Sequence, residues 1–207
     1  MTAKEQRTRL QRILLGPEPQ LLEEEARAGG LEEYGIGRAP ADLSVLSGVE
    51  EAMLPRWWAF LYLTQGDIEK VCRTLAFSDV FLRELKRAQK LFEMPRAAGA
   101  LELRRKLCRL TDEEEACYLD MNDTFALVDP LFVPEKRELE GVLLREEAYR
   151  EDMLHISGAT LQALGVPAAH TSFILKVLLD AVVKAPQLNT FETLIRLAVF
   201  FWKGKAS

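Results

Sequence analysis

The sequence predicts an all-α protein, and three observations carry that prediction. Apolar residues recur at i, i+3, i+4 and i+7 in most segments; no window sustains the period-2 alternation of a half-buried strand. Start and stop signals also punctuate those segments at helix-like intervals.

Taken in order, residues 4–28 read as one or two helices. Leu10, Ile13 and Leu14 share a face, Gly16-Pro17-Glu18-Pro19 interrupts, and Leu21, Leu22 and Ala26 continue up to Gly29-Gly30. A short turn at Leu31–Tyr34 leads into a breaker-rich loop, Gly35–Pro40. An amphipathic set over Ala41–Val49 follows, with Asp42 or Ser44 as its cap. Pro55 opens the most apolar helix, whose Trp57 and Trp58 read as core anchors. Gly66-Asp67 starts the helix Ile68–Leu75, and Ser78 caps a longer one, Val80–Phe92. Leu101–Leu110 is short and basic. Thr111 to Glu114 has capping-box spacing, which explains the local carboxylates, since they suit the positive end of a helix. Asn122–Pro134 gives the weakest signal, because Pro130 and Pro134 limit any helix. Glu135–Asp152 is charged, with Leu139, Val142, Leu143 and Tyr149 as a narrow apolar stripe.

The tail is the best-punctuated stretch. Ser157 caps a short helix ending at Leu164, Gly165 suits a left-handed stop, and Pro167 suits the first turn of the next helix. That helix carries Phe173, Ile174, Val177, Leu178, Ala181 and Val182 and runs into Pro186. Asn189, with Glu192 three residues on, marks the start of a third helix. The organisation expected is therefore residues 1–50, 51–120, a charged connection over 121–152, and a three-helix array over 153–207.

Charge is partitioned strongly. The net values are −3 over residues 1–50, +5 over 51–110, −10 over 111–152 and +3 over 153–207, within a total of −5. An acidic total argues against indiscriminate polyanion binding, yet the two positive segments can still build a basic face. Cys72, Cys108 and Cys117 lack CxxC spacing and fit reduced thiols of a cytoplasmic protein. The charged N-terminus is no secretory signal, and no apolar run is long enough to span a membrane.

Signals for chemistry are sparse. The sequence has no Gly-rich phosphate loop, no HExxH and no GxSxG. His155 and His170 have no second ligand at metal-binding spacing. Asp120–Thr124 begins like a calcium loop, but Phe125 stands where that loop needs glycine. The basic patches say more. Arg83, Lys86, Arg87 and Lys90 form one face of the Val80–Phe92 helix, opposite Val80, Phe81, Leu85 and Ala88. Arg104, Arg105, Lys106 and Arg109 repeat the theme one helix later. Such stripes are either solvated faces paired within the helix, with Glu84 available, or contacts for a phosphate backbone.

The order of these motifs resembles a known family. The tail LHISGATLQALGVP…ILKVLLDAVVKAPQLNTFETLIRLA is similar to the C-terminal segment of class II tRNA nucleotidyltransferases, the CCA-adding enzymes and bacterial poly(A) polymerases. Their pattern is close to L-x-I-S-G-x-D-L, G-x-x-P-G, an apolar helix and L-N-T-x-E-x-L. Arg56–Leu61, Leu75–Ser78 and Leu103–Leu107 look like the family's body, and RILLGPEPQLLEEEARAGGLEEY resembles its neck. The chain departs from the pattern at Lys4–Leu10, at Thr160-Leu161 and at Pro167–Ser172, where the family's glycines are replaced.

The resemblance implies a helical array similar to the family's region after the catalytic head. It also implies tRNA as the partner, with a separate head chain able to complete the enzyme. Arg83, Lys86, Arg87, Lys90, Arg104 and Arg105 would contact the RNA. Magnesium would belong to the head, whose metal-binding aspartates do not occur here, so neither cofactor nor catalysis is expected of this chain alone. Two readings stand: a tRNA-shape-recognising module, as a fragment or a headless relative, or a degenerate helical scaffold acting through protein contacts.

Overall fold

The structure, a computed structural model, describes residues 2–37 and 42–205. Part of the loop expected at Gly35–Pro40, and the start of the Ala41–Val49 set, fall outside them. Every regular element among the described residues is helical. In chain order these are α1 (Ala3–Leu14), α2 (Glu23–Arg27), α3 (Met53–Leu63), α4 (Ile68–Thr74), α5 (Asp79–Glu93) and α6 (Ala100–Leu107). Then come α7 (Asp112–Val128), α8 (Val133–Leu144), α9 (Gly158–Ala163), α10 (Ala168–Lys184) and α11 (Phe191–Lys205), with short 3₁₀ turns in several connections. Among the described residues no helix is long and apolar enough to cross a membrane.

Local chemistry sets most of these boundaries. Asp67, Ser78, Thr111 and Ser157 each accept a hydrogen bond from a backbone N–H of the first turn they precede. Thr111 and Glu114 form the full reciprocal capping box. Gly165 follows α9 at φ +89°, a left-handed stop that glycine adopts without strain. Two boundaries differ from expectation. α7 runs through Asn122 to Val128, because the prolines that weaken this stretch begin only at Pro130, past its end. Thr190 rather than Asn189 caps α11, its Oγ1 accepting from the Thr193 N–H at 3.4 Å. The Asn189 amide instead accepts from the His155 N–H and donates to the Met153 carbonyl, both at 3.0 Å.

The chain divides into two compact units, neither of them continuous. One comprises Met1–Arg96 and Thr111–Lys136, the other Ala97–Leu110 and Arg137–Ser207. In the first unit α3, α5 and α7 pack mutually around aromatic residues. Trp57 and Trp58 are buried there. Trp58 lies 4.9 Å from Phe92 and 4.8 Å from Phe125 between ring centroids, and each such pair adds about 1 kcal/mol beyond burial. Beside them Arg56 is buried without an adjacent buried carboxylate. It donates to the carbonyls of Val49 (2.8 Å), Leu14 (2.9 Å) and Gly16 (3.1 Å), tying the end of α1 and the segment before α3 to α3. In the second unit α10 packs against α6, α9 and α11. Its core joins Leu154, Ile156, Leu161, Ile174, Leu178, Val182, Leu194 and Ala198. Phe173, expected in that apolar stripe, is 43% exposed.

Candidate nucleic-acid interface

α5 buries Phe81, Leu85 and Ala88 against the first unit's core, while Val80 points outward. The opposite face carries the expected basic stripe, and its pairing is not intrahelical. Lys86 meets Glu69 of α4 at 2.5 Å. Arg87 pairs with Glu113, and Lys90 with Glu114 at 2.6 Å. The last two carboxylates come from the first turn of α7, so the acidic run serves both its own helix N-terminus and the neighbouring cations. The Lys90 ammonium, together with the Thr111 N–H, holds the Glu114 carboxyl below its ordinary pKa. Arg83 is exposed and makes no ion pair among the described residues.

A phosphate approaching this face would therefore displace three carboxylates and meet one free guanidinium. Exposed pairs of this kind contribute only about 0–1 kcal/mol each, so displacement is not prohibitive, but the stripe is less positive than its sequence suggests. The nearby groove of about 660 Å³, lined by Trp58, Tyr62, Lys86 and Lys90, also holds Asp67, Glu69 and Glu93. Carboxylates there outnumber the lysines.

The second basic helix behaves differently residue by residue. Arg104 is only 5% exposed. Its Nε donates to the Val183 carbonyl at 2.8 Å and its guanidinium pairs with Glu147, which also receives Arg145 Nε at 2.6 Å. That guanidinium is committed to the interior and presents nothing to a ligand. Lys106 is buried and engaged as well. Arg105 and Arg109 are exposed and make no ion pair among the described residues. They line a groove of about 540 Å³ within the second unit, together with Lys176 of α10. Lys176 escapes sequence reasoning because it stands far along the chain from the basic runs of α5 and α6 and has no cationic neighbour at i±3 or i±4.

Neither histidine is placed for metal chemistry. His155 is exposed, and the His170 ring lies 5.3 Å from that of Trp202. No cluster of His, Cys, Asp and Glu suited to a metal occurs among the described residues. Asp120–Thr124 lies inside α7, where helical spacing directs these side chains around the axis rather than toward one ion. Cys72 and Cys117 are buried, which pushes each thiol up to about 11, whereas Cys108 is exposed. Compared with protein-family models, curated proteins and solved structures, the chain finds no match.

Proposed function

We propose that the chain is an RNA-binding helical module that recognises the shape of tRNA through its phosphate backbone and is not catalytic by itself. The observation that carries the reading is a set of exposed guanidinium groups without carboxylate partners, Arg83 on α5 and Arg105 and Arg109 at the end of α6. Arginine left unpaired at a surface is poised for bidentate contact with phosphate. The all-helical architecture and the motif order of neck, body and tail support the same reading. In it, a catalytic head supplied by another polypeptide would bring the metal ions and the nucleotide chemistry.

A second reading is favoured by a specific observation. Lys86, Arg87 and Lys90 are already neutralised by glutamates of neighbouring helices, as on a scaffold that works through protein contacts. A mobility-shift titration separates the two. The RNA reading expects intact tRNA to bind at low salt, to weaken steeply at moderate salt, and to outcompete unstructured RNA of equal length. Undetectable binding at low salt leaves the scaffold reading standing. Pure protein should incorporate neither CMP nor AMP into tRNA, and metal-dependent incorporation would contradict the non-catalytic assignment.

A further inference from the structure

We infer that the groove between the end of α6 and α10 is a binding site for a phosphomonoester carried on a nucleoside. Its charge comes first. Arg105, Arg109 and Lys176 are exposed and unpaired, while of the two acidic residues in the groove Asp180 is already bound to Lys184 at 2.5 Å. Arg150 is drawn toward Asp152 at 3.5 Å. Only Glu151 then opposes three free cations, leaving a local charge of +2. A phosphomonoester carries about −1.5 to −2 at neutral pH and a phosphodiester only one charge, so the monoester is the matching anion.

The cations are also surplus to local structure. The carbonyls of Arg104, Lys106 and Leu107 in the last turn of α6 already accept from the N–H groups of Cys108, Arg109 and Leu110. Neither guanidinium is needed to cap that helix end. Cys108, Leu110, Tyr149, Leu179 and Val183 line the same groove and give it an apolar floor beside the cations. An inorganic anion would leave this apolar floor uncovered, whereas a nucleoside attached to the phosphate would cover it. The volume of about 540 Å³ lies in the range of roughly 300–1,000 Å³ usual for small-ligand sites.

The same chemistry occurs in a free nucleoside monophosphate and at the 5′ end of an RNA. Only the second source rests on the RNA reading above. The test is calorimetric titration of the full chain with 5′-AMP, 3′,5′-cyclic AMP and adenosine. Binding of 5′-AMP should be about tenfold tighter than that of the cyclic diester, and tighter still than that of adenosine. Arg105→Ala, Arg109→Ala and Lys176→Ala should each weaken 5′-AMP about tenfold, while Arg196→Ala, exposed on α11 and outside the groove, leaves it unchanged. Helicity by circular dichroism should be unaltered in all four, because the replaced side chains are exposed.

Equal affinity for 5′-AMP and adenosine, no saturation by about 10 mM 5′-AMP, or indifference to all three groove variants overturns the proposal. A short RNA with and without its 5′-phosphate identifies the source. A phosphate-dependent gain well above 5′-AMP assigns the site to an RNA end, and parity assigns it to a free nucleotide. Loss of 5′-AMP binding with tRNA binding retained refutes this site alone. The converse refutes the RNA module alone.

Discussion

Replacing Arg104 by alanine should unfold the second unit far more readily without touching an exposed basic surface. The substitution removes a 2.8 Å hydrogen bond to the Val183 carbonyl and leaves Glu147, 11% exposed, without its buried partner. Breaking one side of a buried pair costs about 3–5 kcal/mol. Because Glu147 keeps its contact with Arg145, the loss falls at the lower end, about 3 kcal/mol, still a large part of the roughly 5–15 kcal/mol that stabilises a typical domain. In a chain of this size that corresponds to a drop in Tm of about 6–12 °C. Arg105, its neighbour, is exposed and unpaired, so Arg105→Ala should move stability by no more than about 0.5 kcal/mol. Urea denaturation followed by circular dichroism reads both variants. A loss below about 1 kcal/mol in Arg104→Ala would refute the assignment of this arginine to the interior.

Reversing Arg83, Lys86 and Arg87 together should weaken tRNA binding strongly. It should also cost about 1–2 kcal/mol, because the new carboxylates would face Glu69 and Glu113; thermal melts would show this. The depressed Glu114 pKa stabilises the fold at pH values above the unfolded glutamate value of about 4.3, and that contribution disappears as pH falls through the lower folded value. Glu114→Gln should therefore flatten the acid limb of a stability–pH profile, and an unchanged limb would contradict the pairing with Lys90. A thiol reagent at pH 8 should modify Cys108 rapidly and Cys72 and Cys117 only after denaturation, as counted by absorbance.

Capping chemistry made much of the fold legible: Asp67, Ser78, Thr111, Ser157 and Gly165 act where their types predict. The end of α8 was hidden inside Glu135–Asp152 because its stop uses no glycine: Glu146 takes the left-handed conformation at φ about +50°, as Gln65 and Ala76 do just after α3 and α4. Asn189 looked like a cap because its type suits one, but tertiary hydrogen bonds claimed its amide. The basic residues were legible as helix faces, not as charges available to a ligand. Helical spacing places Lys90 on the surface but cannot show Glu114 arriving from α7, nor distinguish buried Arg104 from exposed Arg105 beside it.

The salt dependence of tRNA binding tests the central claim most directly. If unpaired surface arginines hold the phosphate backbone, log K falls linearly with log salt. Arg83→Ala and Arg105→Ala should then each reduce the slope by about one while leaving the fold intact. Binding that ignores salt, or a slope unchanged in both variants, would contradict it.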